Sequence, residues 1–162
     1  MHKQKHYSQV YANIQALLTA DTDWLAAMAT IISELHNSFE SFDWTGFYRV
    51  VSDEHLQIGP YQGAHGCLNI PFQKGVCGAA ATTKKTHCLA DVDSFPGHIA
   101  CSSSTRSEIV VPVLNKHGEV LAVLDVDSDY PSAFDAVDQH WLESICMLYA
   151  MRYPERPLVT SR

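Results

Sequence analysis

Two segments with helical spacing of apolar side chains begin the chain, separated by a short polar stretch. The first segment places these residues on one helical face: Tyr7, Val10, Tyr11, Ile14, Leu17 and Leu18. The second has the same period and contains Trp24, Leu25, Met28, Ile31, Ile32, Leu35 and Phe39. Asp21 and Asp23 lie between them, and aspartate is a preferred N-cap. We therefore predict two packed helices within residues 1–40.

After Phe42 the spacing changes to that of β-strands. The expected strands span residues 44–51, 55–61, 67–70, 86–90, 108–114 and 119–127. The last two form a hairpin about the sequence Asn115-Lys116-His117-Gly118, whose glycine suits a left-handed turn position. A short alanine-rich helix is expected at residues 79–83.

A closing helix is predicted over residues 132–152, with Ser132 as its N-cap. Its apolar face contains Phe134, Val137, Trp141, Ile145 and Leu148. Helices at both ends with strands between them predict an α+β fold, a central and mostly antiparallel sheet flanked by the N-terminal and C-terminal helices. We expect one domain over residues 1–162, with the sheet and its loops in residues 42–128. The tail from residue 153 contains two prolines and is expected to be frayed.

The formal net charge of −7, without any cluster of basic residues, argues against binding to nucleic acid or to an anionic membrane. The N-terminus lacks the apolar core of a signal peptide, and no apolar run reaches membrane-spanning length. We therefore expect a cytoplasmic protein.

Five cysteines, at positions 67, 77, 88, 101 and 146, show no C-x-x-C pair and match no zinc-binding spacing. Because a reducing compartment disfavours permanent disulfides, catalytic or transient pairing of these cysteines is the more plausible kind. The structural alternative is that each cysteine is a small core residue, and we adopt it for Cys88 and Cys146.

Cys101 differs from a structural cysteine because it lies in a polar loop, within the stretch FPGHIACSSSTRSEIVVPV of residues 95–113. A buried structural cysteine normally has apolar neighbours. Backbone N–H groups of such a loop, and Arg106 if it folds close, would favour the thiolate. Cys101 is therefore the candidate nucleophile.

Three acidic residues are predicted at one end of the sheet. In the strand VLAVLDVD of residues 120–127, alternation puts Leu121, Val123, Asp125 and Asp127 on one face, and the hairpin brings Glu108 close to them. Neighbouring buried carboxylates raise each other's pKa. The cluster therefore predicts a pocket for an ammonium group, with one acid carrying a proton. An exposed strand end and a Mg²⁺ or Ca²⁺ site are the alternatives, although no D-x-D-x-D-G loop supports the metal.

Several motifs resemble those of one known family, the free methionine-(R)-sulfoxide reductases, which are single-domain GAF proteins. They are WTGFY (44–48), GPYQG (59–63), CLNIP (67–71), KGVCG (74–78), DV (91–92), GHIAC (97–101), SEIVVPV (107–113) and LDVDS (124–128). The resemblance covers residues 44–141. It implies reduction of free L-methionine-(R)-sulfoxide to methionine, a role in oxidative stress, and proteins that are often dimeric.

The resemblance also implies a role for each candidate residue. Cys101 would be the nucleophile, Cys67 the resolving partner and Cys77 an additional redox thiol. The substrate pocket would be formed by Trp44, Tyr48, Glu108, Asp125 and Asp127. Thiolate attack on a sulfoxide, with a neutral carboxylic acid as proton donor, gives a sulfenic acid and then a disulfide. A thiol reductant such as thioredoxin would complete the cycle, and neither a metal nor an organic cofactor is needed.

The competing hypothesis is a non-catalytic GAF module that senses a small ligand and whose cysteines only pack. A bilin-binding domain is weaker, because His87-Cys88 is on a strand without an evident aromatic cage. Loss of one epimer of racemic free methionine sulfoxide in the presence of dithiothreitol would distinguish the enzyme from the sensor.

Overall fold

The computed structural model describes residues 2–99 and 101–159. Four helices and six strands make up the fold. In chain order they are α1 (His2–Leu17), α2 (Trp24–Ser38), β1 (Trp44–Ser52), β2 (His55–Gln62), β3 (Asn69–Pro71), α3 (Gly75–Thr83), β4 (His87–Leu89), β5 (Ser107–Leu114), β6 (Val120–Ser128) and α4 (Ala136–Arg152). A single 3₁₀ turn, Val92–Ser94, lies between β4 and β5.

The six strands form one sheet in the order β3-β2-β1-β6-β5-β4, and each neighbouring pair is antiparallel. The predicted α+β architecture is therefore confirmed. The hairpin between β5 and β6 is also as predicted, because Gly118 at its turn has a φ of 75°, a conformation that favours glycine.

The two faces of the sheet carry different layers. Helices α1, α2 and α4 cover one face, and their apolar stripes pack with Phe47, Ile109, Leu124 and other sheet residues into the larger hydrophobic core. Helix α3 lies on the opposite face, where a smaller core contains Tyr48, Val76 and Cys77, among others. The first face is thus closed by helices, and the second is free to carry loops.

The prediction that Leu121 shares a face with Asp125 is wrong. Leu114 pairs with Val120, whereas Val113 pairs with Ala122, so the ladder is irregular at Leu121. A one-residue irregularity of this kind reverses the side to which the side chain points. Leu121 therefore packs in the larger core, whereas Val123 packs in the smaller one.

Helix boundaries depart from the prediction at two places. Helix α3 begins at Gly75 rather than at Ala79 and therefore includes Cys77. Helix α4 is capped by Asp135 rather than by Ser132: the Asp135 carboxylate accepts from the backbone N–H groups of Val137 and Asp138 in a capping box. At α2 the predicted cap is confirmed, because the Asp23 side chain accepts from the Ala26 N–H.

Two of the short strands also begin later than expected. Strand β3 spans Asn69–Pro71, and Cys67 therefore precedes the strand instead of starting it. Strand β4 is limited to His87–Leu89. Within the residues that the structure describes, no helix has the length and apolar character needed to cross a membrane.

The expectation of a frayed tail is wrong for residues 153–159. Buried polar side chains hold this segment against the domain. The Arg49 guanidinium donates to the Pro157 carbonyl at 3.0 Å, and the Asn115 amide donates to the Pro154 carbonyl at 3.1 Å. The Asn115 side-chain oxygen also accepts from the backbone N–H groups of His117 and Glu119. One buried asparagine thus connects the β5–β6 turn to the tail.

We predict that Asn115→Ala lowers the free energy of unfolding by about 2 kcal/mol, because buried partners lose their hydrogen bonds. Urea unfolding followed by tryptophan fluorescence would measure the loss. The matched control is Lys116→Ala in the same turn, whose side chain is exposed and should change stability by about 0.5 kcal/mol or less. Equal stability of the two variants would contradict the assigned role of Asn115.

Candidate active site

A disulfide joins Cys67 and Cys101 on the α3 side of the sheet, with 5.5 Å between their Cα atoms. Cys67 lies in the connection between β2 and β3, and Cys101 lies in the loop that precedes β5. The base of that loop is closed by a hydrogen bond from the Val92 N–H to the Arg106 carbonyl at 2.9 Å. Both cysteines retain partial exposure. Two of the three predicted redox thiols are therefore directly bonded.

The third predicted thiol, Cys77, is buried on α3. Its Sγ donates to Oδ2 of Asp125 at 3.4 Å. Burial raises the pKa of Cys77 well above its usual value, and the nearby Asp125, Glu108 and Asp127 raise it further. Cys77 is therefore held as a neutral thiol in this state.

The three predicted acids come together through strand register. Glu108 on β5 pairs with Asp127 on β6, and Asp125 lies two residues away on the same face. Glu108 and Asp125 are buried, whereas Asp127 is partly exposed. The predicted proximity of these acids is thus confirmed. The alternative, that the acids mark an exposed end of a strand, does not hold for Glu108 or Asp125, because both are buried.

Burial and repulsion within the cluster raise the pKa of all three carboxyl groups. Burial raises the pKa of Glu108 to about 8, with the Asp127 charge as the second cause. Burial and the Glu108 charge raise the pKa of Asp125 well above its ordinary value, and burial with Asp125 does the same for Asp127. The pocket therefore contains at least one neutral carboxylic acid at neutral pH, which is a proton donor.

One oxygen of Asp125, Oδ1, is buried and receives no hydrogen bond from the described residues. The neighbouring Glu108 carboxyl can donate to Asp125 only while it carries a proton. When both acids are ionised, the cluster has excess buried negative charge, which the hydrogen bond from the neutral Cys77 thiol does not neutralise. Such a site gains stability from a cation or an ammonium group.

A cavity of about 30 Å³ lies between the disulfide and the acids. Its walls include six of the eight predicted site residues: Tyr48, Cys77, Cys101, Glu108, Asp125 and Asp127. The seventh, Cys67, reaches it through its bond to Cys101. A space of this size holds about one water molecule, so the disulfide-bonded state has little room for a ligand.

The eighth residue, Trp44, packs behind the cavity wall rather than in it. Its ring stacks on Tyr48 and Tyr61, with centroids 5.8 and 5.4 Å away, and its Nε1–H donates to the Ala64 carbonyl at 2.9 Å. Gly46 makes this stack possible, because a Cβ at that position would overlap the Trp44 ring. In this state Trp44 supports Tyr48, which provides the aromatic surface of the cavity.

The two cysteines interpreted as core residues have different environments. Cys146 on α4 is buried in the larger core, as expected. Cys88 on the edge strand β4 is exposed, and the core interpretation is wrong for it. The outer strand of a sheet has a neighbour on one side only, so its side chains have fewer packing partners.

His98 is a site residue that the sequence interpretation missed. Its Nε2 lies 3.0 Å from Oε2 of Glu108, and both side chains are largely buried. The signal was present in the GHIAC motif, from which only the cysteine was interpreted. Burial lowers the pKa of His98, although the charge of Asp93 opposes this. His98 is thus a mainly neutral imidazole on the outer side of the acid cluster.

The donor atoms of Cys77, Glu108 and Asp125 lie within 4.8 Å of one another, the one group of this kind within residues 2–99 and 101–159. A single cation could bridge them. Mg²⁺ and Ca²⁺, the ions considered from the sequence, prefer oxygen ligands alone. A thiol in the set therefore does not fit either ion.

The GAF domain model matches residues 19–153, which include every residue of this site. The chain belongs to the GAF domain family. The free methionine-R-sulfoxide reductase of Saccharomyces cerevisiae is 36% identical, over 91% of this chain and 86% of that protein. The enzyme of the same name from Escherichia coli is 34% identical, over 90% and 87%.

A crystal structure has the same fold and supports the same relationship within the GAF family. The free methionine-R-sulfoxide reductase of Neisseria meningitidis, solved with its substrate, superposes with a TM-score of 0.89 at 39% identity. The match covers 94% of this chain and 90% of that one. The resemblance inferred from the motifs is therefore confirmed.

The raised pKa of Glu108 predicts how stability depends on pH. The unfolded chain loses the Glu108 proton near its ordinary pKa of 4.5, whereas the folded protein keeps it to about 8. The free energy of unfolding should therefore fall as pH rises between these values and level off above them. Each unit of pKa difference corresponds to about 1.4 kcal/mol, so the rise from 4.5 to about 8 should make Glu108→Gln more stable than the wild type by up to about 5 kcal/mol well above pH 8.

Urea unfolding of the disulfide-bonded protein over this pH range would test the prediction. The control is Glu40→Gln, in which an exposed glutamate is replaced and the pH dependence should equal that of the wild type. Parallel pH profiles for Glu108→Gln and the wild type would show that Glu108 is ionised normally.

Proposed function

We propose that this protein reduces free L-methionine-(R)-sulfoxide to methionine. The observation that carries the proposal is the position of the Cys67–Cys101 disulfide, which lies against a cavity that also contains Glu108 and Asp125. A bonded pair of partly exposed cysteines next to a neutral acid corresponds to the end of one reduction cycle. The named reductases among the relatives support the same activity.

In the proposed reaction the thiolate of Cys101 attacks the sulfoxide sulfur. Glu108 transfers its proton to the sulfoxide oxygen, which needs that proton as its bond to sulfur breaks. Methionine is released, and Cys101 becomes a sulfenic acid. The Cys67 thiol then condenses with it, which gives the disulfide and one water molecule.

A dithiol reductant, with thioredoxin as the proposed partner, then restores both thiols by exchange. Cys67 and Cys101 are both partly exposed, which supports access of such a reductant to the disulfide. Cys77 is proposed as an additional redox thiol that acts after the others, because burial and the acids around it keep it protonated. We also propose that the protein acts in the reducing cytoplasm and forms a homodimer.

Recognition of the substrate is proposed to depend on its free ammonium group. Glu108, Asp125 and Asp127 would surround that group, and Oδ1 of Asp125 is an acceptor to which no described residue donates. Tyr48, supported by Trp44, would contact the methyl group. The cavity of about 30 Å³ is smaller than an amino acid, so we propose that substrate binds after the disulfide is reduced and Cys101 separates from Cys67.

The assignment of the thiols predicts two different defects. Cys101→Ser should abolish turnover, because it removes the nucleophile. Cys67→Ser should release about one methionine per subunit and then stall with thioredoxin, because attack precedes disulfide formation. Rapid-quench measurement of methionine would show both effects, and Cys88→Ser, an exposed cysteine away from the site, is the control with normal turnover.

A Cys67→Ser variant without the first turnover, together with an active Cys101→Ser variant, would reverse the assignment of the two residues. A wild-type protein that consumes neither epimer of methionine sulfoxide with dithiothreitol would instead favour the ligand-sensing GAF module.

The ammonium pocket predicts that N-acetylated methionine sulfoxide is a very poor substrate. Its amide nitrogen would leave the acids without a cation. Buried polar groups without a partner can lower kcat/KM for the acetylated compound by roughly 10⁴-fold relative to the free amino acid. Asp125→Asn should weaken binding of the free amino acid while Cys101 remains reactive toward a small alkylating agent. The control is Asp53→Asn, an exposed residue on the β1–β2 turn. Comparable rates with the free and the acetylated compound would contradict the pocket.

A further inference from the structure

We propose that His98 returns a proton to Glu108 after each turnover and holds the loop of Cys101 against the acid cluster. The inference rests on the proposed function and adds to it a positioning residue. It is carried by the contact of 3.0 Å between Nε2 of His98 and Oε2 of Glu108.

His98 is the more exposed partner of this contact. The His98 side chain is 15% exposed, against 7% for that of Glu108. The other titratable groups that face Glu108 belong to the elements packed around it: Asp125 and Asp127 on β6, Cys77 on α3 and Tyr48 on β1. Burial raises the pKa of each of these four groups, so each holds its proton more tightly than usual and is a weaker proton donor to the Glu108 carboxylate than an imidazolium. His98 is the basic group in contact with Glu108.

The reaction leaves Glu108 in need of a proton. Cys101 attacks as a thiolate, and the sulfoxide oxygen takes one proton from Glu108 as the sulfur–oxygen bond breaks. The products are methionine, the Cys101 sulfenic acid and the Glu108 carboxylate. Condensation with Cys67 then releases water, whose second hydrogen comes from the Cys67 thiol. Glu108 is left one proton short; the cycle balances because the Cys101 thiol, once restored by the dithiol reductant, releases one proton when it ionises, and we propose that His98 transfers a proton to Glu108.

The charge that Glu108 gains makes His98 a better base at that moment. While Glu108 is neutral, burial keeps His98 mainly neutral as well. Once Glu108 is a carboxylate, its negative charge 3.0 Å away favours the imidazolium form of His98. The imidazole can then take a proton from solvent and donate it to Oε2 of Glu108. This sequence restores the starting state of both side chains.

The same contact also fixes the position of the nucleophile. His98 is three residues before Cys101, in the loop whose base is closed by the Val92–Arg106 hydrogen bond. Ile99 packs beside it on the smaller core. The bond from His98 to a strand residue therefore holds the middle of the loop over the acids.

Two substitutions separate proton return from simple positioning. His98→Gln keeps a nitrogen that can donate to Glu108 but cannot titrate, whereas His98→Ala removes the contact. His117→Gln is the matched control, because that histidine is exposed in the β5–β6 turn. Circular dichroism would verify that each variant is folded.

The measurement compares the first turnover with the steady state at a pH below the Glu108 value of about 8, with dithiothreitol raised until the rate no longer depends on it. In His98→Gln the first methionine should form at the wild-type rate, because Glu108 already carries its proton. The steady-state kcat should fall about tenfold or more. Added imidazole should restore it in His98→Ala, whose vacated space admits the buffer base.

Three results would overturn the proposal. They are a wild-type steady-state rate in His98→Gln, a first turnover slowed as much as the steady state in both variants, and an absence of any effect of imidazole. The test remains distinct from that of the reductase activity itself, since wild-type turnover and its loss in Cys101→Ser are measured with the same assay.

Discussion

The site depends on one unfavourable interaction, the burial of neighbouring carboxyl groups on strands β5 and β6. Glu108 and Asp125 are both nearly inaccessible to solvent; burial raises the pKa of each, the Asp127 charge raises that of Glu108 further, and the Glu108 charge raises that of Asp125 further. Ionised acids that are buried in this way destabilise the fold, so a proton or a cation must be present. The same constraint explains the proposed acid catalysis, the proposed selectivity for a free ammonium group and the neutral state of Cys77 beside them.

The sheet tolerates this cluster because its opposite face provides the stability. Helices α1, α2 and α4 close the larger core, which contains Phe47, Ile109 and Leu124 from the central strands. The alternating side chains of the same strands point to the smaller core and the cavity. Each central strand thus contributes to stability with one set of residues and to chemistry with the other, as the twofold period of a strand allows.

Chemistry on the second face is brought together by segments far apart in the chain. The disulfide joins residues 34 positions apart, and His98 reaches Glu108 across the loop that carries Cys101. The small cavity lies between this loop and the acids. Reduction of the bond would remove one attachment of the loop, whereas the His98 contact would remain.

The sequence by itself determined the helices, the antiparallel sheet, the β5–β6 turn and the acid cluster, because their periods and the glycine at Gly118 are local signals. The motifs identified the family. Tertiary structure alone decided the reversed face of Leu121, the exposure of Cys88, the position of Trp44 behind Tyr48 and the contact of His98 with Glu108. A ladder irregularity, an edge position, a stack and a loop contact depend on which segments meet in space, and residue spacing along the chain does not encode that.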